Sequence, residues 1–484
     1  MLDIIIANVP GTLVRLPFAA PALLKSVIQS AGLTCKTMDI NILFYNTVDD
    51  NRIAELEKFF STGFNEECLT EATQLVESWA EEIINYNPKY LGISVFTYQN
   101  RIATKMLCEL IKQKSSIKII LGGQGLTDGG ILGAQGFAKE LISKGLADYY
   151  IKSEGEYALV ELLKGNLSYP GINIDTFEQI RDLDTLPIPD YSDYKLELYS
   201  RQILPVTSSR GCVRACSFCD IHDHWKYEYR SGELVAREMI ELSEKYNIDD
   251  FFFTDSLVNG SLKEFKEFCR VMADYNNKNN KIKWSGQYIV RSENTLSEEY
   301  WSKLANSGGN RLAIGVETGS DTVRTHMNKK FTNLDLDYTM AMLDKYNITC
   351  IFLIIIGYPT ETLKDFQDTL DMFIRYQNLA NRIIVDINLG STLGILPGTP
   401  LYNKAKQYNI DIDTYENNWT ANDNPDLTMA ERIRRVKYAK EYLIGLGYVA
   451  NDDNEGILNI LETQIPTFEK RNKIKKMIKL KEIQ

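Results

Sequence analysis

Three cysteines within eight positions carry the clearest chemistry in the chain: Cys212, Cys216 and Cys219, in TSSRGCVRACSFCDIHDHW. Their C-x3-C-x2-C spacing follows directly on an apolar run, 203–207, that reads as a strand. Thiolates are the preferred ligands of iron–sulfur clusters. Three of them on a tight loop leave one iron of a four-iron cluster without a protein ligand, which is what a chelating substrate would need. Zinc competes for the same cysteines, with His222 as a fourth ligand in a tetrahedral Cys3His site. A set of merely buried cysteines is the third reading. The remaining five, Cys35, Cys68, Cys108, Cys269 and Cys350, stand alone in apolar patterns and read as small core residues. Of the three histidines, His222 and His224 follow the last clustered cysteine, where they could position substrate, tune a cluster or move a proton, or be plain loop residues. His326 lies apart, in VRTHMNKK.

The elements that must position this loop are legible in the hydropathy pattern. From 1 to about 165, short apolar runs (2–7, 34–39, 90–95, 118–121 and 148–151) alternate with amphipathic helical segments, and two extra helices fall between 51 and 88. Such alternation, with near-continuous Ile/Val runs, predicts a parallel sheet covered on both faces. Residues 166–200 contain LPIPDYSDY, whose prolines disfavour regular structure, and read as a linker. From 201 to 405 the alternation restarts, with strands expected at 203–207, 250–254, 282–288, 311–316, 350–356 and 383–389. Six β-α units are too few for an eight-fold barrel, so a partial (β/α)6 barrel is expected. Residues 406–484 read as a small helical C-terminal region. The fold class is therefore α/β: an N-terminal doubly wound Rossmann-like parallel sheet, then the partial barrel, then helices.

At 484 residues, 44% hydrophobic and 25% charged, the composition is that of an ordinary soluble protein. No apolar stretch reaches the length of a membrane helix, and LDIIIANVP is too short for a secretion signal, so a cytoplasmic protein is expected. The net charge of −11 argues against general nucleic-acid binding. The lysine-rich end, 469–484, reads as a solvated helix face or a contact for an acidic partner.

CVRACSFC, with Phe218 before the last cysteine, resembles the cluster motif of the radical S-adenosylmethionine (SAM) superfamily. The likeness continues through the strand ends: FFFTDS with Asp255, RLAIGVETGSD with Glu317, FLIIIGYPTET with Gly357 and Pro359, and STLGILPGTPLY. It implies a [4Fe–4S] cluster on Cys212, Cys216 and Cys219 whose open iron binds the amino and carboxylate groups of SAM. One electron then yields a 5′-deoxyadenosyl radical. By the same resemblance Asp255 and Glu317 would accept hydrogen bonds from the methionine amine or the ribose. Backbone around Gly357 would let the adenine approach, and Arg291 would pair the methionine carboxylate.

Residues 1–165 resemble the cobalamin-binding domains of one branch of that superfamily, through PALLKSVIQSAG, GISVFT, ILGGQGLT and ADYYIKSEGE. Gly122 and Gly123 are then candidate cofactor contacts, and Ser94 and Thr97 candidate hydrogen-bond partners. Where many cobalamin proteins carry D-x-H-x-x-G, this chain reads DINILF, with Asn41 in the histidine position. Asparagine is a poor cobalt ligand, so the lower axial site would be open or water-filled. Methylthiotransferases, which share the barrel, bind a second cluster through three N-terminal cysteines, but Cys35, Cys68 and Cys108 lie in strand and helix patterns rather than glycine-rich strand ends. The resemblance implies a cobalamin-dependent methyltransferase acting on an unactivated carbon or phosphorus centre, with an external one-electron donor such as flavodoxin or ferredoxin. The alternatives are a non-methylating radical enzyme of the same build (cyclisation, ring contraction or oxidation) and a zinc-stabilised, non-catalytic binding module. The sequence names neither the substrate nor a catalytic residue.

Overall fold

Strands buried on both faces must be apolar throughout, and LDIIIAN meets that demand by forming β1 (Leu2–Asn8), whose last five residues are buried. The computed structural model describes residues 2–451, apart from 12–13, 64, 128–135, 153, 176–177, 280–281, 391 and 413–417. The lysine-rich segment 469–484 lies outside the described residues. The chain divides into two units at about residue 205, within the strand 203–206 that opens the second sheet.

In the first unit β1, β2 (Cys35–Asp39), β3 (Pro88–Ser94), β4 (Lys118–Gly122) and β5 (Tyr149–Ile151) form one parallel sheet in the order β2-β1-β3-β4-β5. Alternate β1 side chains serve opposite cores. Ile5 and Ala7 pack with Phe44, Trp79, Leu107 and Leu141, from helices on one face. Ile4 and Ile6 pack with Ile28, Leu159 and Leu162, from helices on the other. The sheet is doubly wound, as the alternation predicts, and the two extra helices are Asp50–Thr62 and Leu69–Asn85. Cys68 and Cys108 sit in one core and Cys35 in the other, so these three thiols do not meet.

The segment expected as a linker has little regular structure, but it packs within the first unit. Its tyrosines are the reason: Tyr191, Tyr194 and Tyr199 are all buried. Buried Lys25 anchors it through Asp193 at 2.7 Å and Asp190 at 3.0 Å.

The second unit is built on a seven-stranded sheet. Its members are β6 (Ile203–Val206), β9 (Asp250–Phe253), β10 (Lys283–Tyr288), β11 (Gly309–Glu317), β12 (Thr349–Ile354), β13 (Ile384–Asn388) and β16 (Ala450–Asn451), in the order β16-β13-β12-β11-β10-β9-β6. The ladder from β9 to β16 is parallel. Aromatic packing of Phe253, Phe265, Phe268, Trp284 and Tyr300 fixes helix Leu262–Asn279 on the sheet. Two short antiparallel ribbons complete the unit, β7 (Ser209–Arg210) with β8 (Glu228–Tyr229), and β14 (Ile410–Ile412) with β15 (Trp419–Ala421). The described residues of the C-terminal region are less purely helical than expected. Helix Met429–Gly445 is present, but β14, β15 and the seventh strand β16 flank it. A two-residue strand is too short to show a period, and only its pairing with β13 defines it. No helix among the described residues is long and apolar enough to cross a membrane.

Candidate active site

The cysteine loop follows β6 and is tied down along its length. Ser217 N–H donates to Met327 O at 3.0 Å, Leu401 N–H to Ser217 O at 2.7 Å, and Asn328 Nδ2 to Ala215 O at 2.6 Å. The Ser217 and Tyr358 hydroxyls share a hydrogen bond of 2.8 Å. Cys216 is buried, while Cys212 and Cys219 are partly exposed. Burial raises all three thiols, Cys219 to about 11, and Lys329 pulls Cys212 and Cys216 the other way. Cations beside the loop favour thiolate ligands over thiols. Among the described residues no three His, Cys, Asp or Glu side chains are drawn together as a finished metal cage. The loop supplies the donor set and its charge environment. His222 is exposed, with Nδ1 3.4 Å from the Cys212 carbonyl oxygen.

Lys329 is the site residue that sequence reasoning missed. Its Nζ lies 2.7 Å from Glu317 Oε1 and 3.0 Å from Gly315 O. Burial disfavours its charge, but Glu317 and the thiols outweigh that and raise its pKa. Phe218 faces the same ammonium, 5.8 Å from ring centroid to Nζ. Glu317 ends β11 beyond a bulge, with φ +66. A left-handed non-glycine residue costs of order 1–3 kcal/mol and persists where the surroundings over-determine it. A Cβ on Gly315 would stand 2.5 Å from Glu317 Oε1 and 2.9 Å from Lys329 Nζ, so a larger residue there would displace the ends of the pair.

Asp255 is placed differently from the expectation that it would accept from SAM. It is 2% exposed and accepts from Ser208 N–H, Ser208 Oγ–H at 2.8 Å and Ser209 Oγ–H at 2.6 Å. Its carboxylate is committed to the start of the cysteine loop. Burial pushes its pKa up to about 6, against the pull of those donors. The protonated form is therefore favoured on folding. The stability it contributes is full below the unfolded value of 3.8 and is lost as pH rises through about 6. We expect the stability of the wild type relative to Asp255→Asn to fall by about 3 kcal/mol between pH ~4 and ~7. Urea midpoints across that range, read by tryptophan fluorescence, check it.

Gly357, after β12, has φ +80, and a Cβ there would lie 2.7 Å from Arg432 Cγ. Its N–H donates to Glu361 Oε1 at 3.1 Å, and Arg435 Nη1 holds the same oxygen at 2.9 Å. Helix Met429–Gly445, in the region expected to be helical, therefore braces this loop through Arg432 and Arg435. Arg291, expected to pair a carboxylate, has Nη2 on the carbonyls of Asn259 (2.5 Å) and Gly260 (2.7 Å). His326 is exposed and shares a 2.8 Å hydrogen bond with Thr360.

In the first unit the register aligns Asp39, Asn8, Ser94, Gly122 and Ile151 along the carboxyl edge of the sheet, where α/β folds place ligands. A Cβ on Gly122 would meet nothing within 4 Å. Gly123 has φ +103, and a Cβ there would lie 2.4 Å from Val95 O. Gly123→Ala should destabilise this unit by roughly 2 kcal/mol or more, read as a lowered urea midpoint. Thr97 caps the turn Tyr98–Asn100 and donates to Gly11 O at 3.3 Å. Asn100, also missed, joins both edge loops: it donates to Val9 O and Pro10 O and accepts from the N–H of Phe96 and Thr97. Phe96 and Tyr98 remain exposed. Asn41 is 1% exposed in the first turn of helix Ile40–Thr47, so it is buried rather than presented at the edge. Asp39, before it, caps that helix and is held by Asn8 and Tyr199.

Residues 206–373, within the second unit, match the family model described as the radical SAM superfamily. The chain is 26% identical over 278 residues to bacteriochlorophyllide d C-12(1)-methyltransferase of Chlorobaculum tepidum, covering 55% of this chain and 57% of that protein. It is 23% identical over 205 residues to cytidylyl-2-hydroxyethylphosphonate methyltransferase of Streptomyces wedmorensis, covering 39% and 37%. The chain thus spans about half the length, or less, of these curated relatives. Its fold is that of the radical SAM methyltransferase TsrM from Kitasatospora setae, solved with cobalamin and a [4Fe–4S] cluster bound. The TM-score is 0.64 at 16% identity, covering 100% of both chains.

Proposed function

We propose that the chain is a cobalamin-dependent radical SAM methyltransferase acting on an unactivated carbon or phosphorus centre. The observation that carries this reading is the three-cysteine loop with the buried Lys329–Glu317 pair beside it, in a chain whose first unit offers an open glycine edge on a doubly wound sheet. Two methyltransferases among the relatives support it. When bound, the cluster supplies the electron that splits SAM, and cobalamin carries the methyl group.

The residues divide the remaining work. Cys212, Cys216 and Cys219 hold the cluster. Lys329 pairs with the methionine carboxylate and Glu317 accepts from the methionine amine, each releasing part of its hold on the other. Gly357, fixed by Glu361 and Arg435, lets the adenine lie against backbone. Asp255 fixes the loop entrance, and Phe218 shields Lys329 from water. At the first unit's edge Gly122, Gly123 and Ser94 would receive the corrin, while Asn41 is buried in the first turn of helix Ile40–Thr47 and is not presented there. An external one-electron donor such as flavodoxin or ferredoxin completes the system.

Product analysis tests the reaction class. Methyl transfer predicts S-adenosylhomocysteine and a methylated product together with 5′-deoxyadenosine. Formation of 5′-deoxyadenosine without S-adenosylhomocysteine would contradict it and favour a non-methylating reaction.

A further inference from the structure

In the first unit the strand order β2-β1-β3-β4-β5 reverses between β1 and β3. Open α/β sheets take ligands at such a point, in the crevice outside the carboxyl ends of the strands. The loop after β1 (9–11) and the loop after β3 (95–100) flank that crevice, and they are locked together. Asn100 Nδ2 donates to Val9 O at 3.0 Å and to Pro10 O at 2.9 Å, and its Oδ1 accepts from the N–H of Phe96 and Thr97. A Cβ on Gly11 would stand 2.8 Å from the Gln99 carbonyl carbon, and one on Gly125 would stand 2.4 Å from Thr97 O. Both glycine backbones therefore lie directly against the loop. Arg101 adds Nε on Gly125 O and Nη2 on Thr127 O, each at 2.7 Å.

This braced loop holds two aromatic rings out to solvent: Phe96 is 51% exposed and Tyr98 67%. One exposed apolar side chain is ordinary on a protein surface. Here two flank Thr97, on a loop fixed from behind by a buried amide, and neither ring joins the core on either face of the sheet. Phe96 meets Phe18 edge-on, at 5.3 Å between centroids. Beside the loop β4 ends at Gly122, in register with Ser94 of β3, where a Cβ would meet nothing within 4 Å. An unobstructed glycine edge next to exposed aromatics suits a broad ring system whose faces need no hydrogen bonds. We propose that Phe96 and Tyr98 form the apolar contact surface for the corrin ring of cobalamin at this crevice, on the loop that Asn100 holds. The proposal rests on the reading of the first unit as a cobalamin-binding domain and adds the side chains that take the macrocycle.

The test uses the full chain, reconstituted anaerobically with iron and sulfide. It is titrated with hydroxocobalamin by equilibrium dialysis, read from the corrin absorbance. We expect Phe96→Ala and Tyr98→Ala each to weaken binding about tenfold, since each removes apolar surface that the ring covers. Tyr98→Phe keeps the aromatic ring and should bind as the wild type does. Leu167→Ala, at an exposed position elsewhere in the first unit, should also bind unchanged. The urea midpoint of Tyr98→Ala should match the wild type, because so exposed a ring contributes little to folding. Equal affinities in the wild type, Phe96→Ala and Tyr98→Ala would overturn the proposal alone. So would a loss in Tyr98→Phe as large as in Tyr98→Ala, which would give the contact to the hydroxyl. Unchanged affinity with loss of a dimer in sedimentation would overturn it too, by assigning the rings to a second copy of the chain. A wild-type chain that takes up a cluster and no corrin would overturn the cobalamin reading, and the proposal with it.

Discussion

Cys216→Ala should leave the protein folded and empty it of its cluster. Cys216 is 8% exposed, and trimming one sulfur from a loop held by Ser217, Asn328 and Leu401 should cost only about 1 kcal/mol. A four-iron cluster left with two thiolates loses its attachment, so iron and sulfide should vanish from the reconstituted protein. Reductive cleavage of SAM should drop by roughly 10³-fold or more, as when an essential member of a catalytic set is removed. Cys269→Ala is the control. That cysteine is 1% exposed in helix Leu262–Asn279, and its loss should lower stability by a similar amount while the cluster stays. Equal iron content in both variants would contradict the assignment.

Lys329→Met separates stability from function at the next position that matters. Glu317 and Lys329 are 9% and 12% exposed at the side chain, and Nζ lies 2.7 Å from the carboxylate. Removing the cation strands a buried carboxylate, which typically costs about 3–5 kcal/mol. The double variant Lys329→Met with Glu317→Gln removes both charges and should recover most of that loss. SAM affinity should not recover. Losing a charge-assisted contact to the methionine carboxylate weakens binding by roughly 10- to 100-fold. Equilibrium dialysis with SAM beside urea midpoints reads both quantities. If the double variant regains affinity along with stability, Lys329 is only structural.

The strands were legible because parallel strands buried on both faces are continuous apolar runs: DIIIAN, KIILG and IVDIN need little context to be recognised. The cysteines were legible because their spacing is local. What stayed hidden depends on tertiary closure. Lys329, in HMNKK, looks like one more solvated lysine until β11 brings Glu317 beneath it. Asp255 reads as a free strand-end carboxylate because its partners, Ser208 and Ser209, lie more than forty residues earlier. The 166–200 segment reads as a linker from its prolines, whereas its tyrosines decide the packing. Asn41 stands where many cobalamin proteins have their histidine, yet helix Ile40–Thr47 begins at once and buries it. Arg435 reaches Glu361 across 74 positions, beyond any local pattern.

The central claim is that Cys212, Cys216 and Cys219 hold a [4Fe–4S] cluster with one iron open to SAM. The most direct measurement is anaerobic reconstitution with iron, sulfide and hydroxocobalamin, followed by metal and corrin counting and by electron paramagnetic resonance of the reduced protein with and without SAM. The account predicts one [4Fe–4S] cluster and one corrin per chain, and a cluster signal that changes when SAM is added. One zinc per chain, with no sulfide and no brown colour, would contradict it.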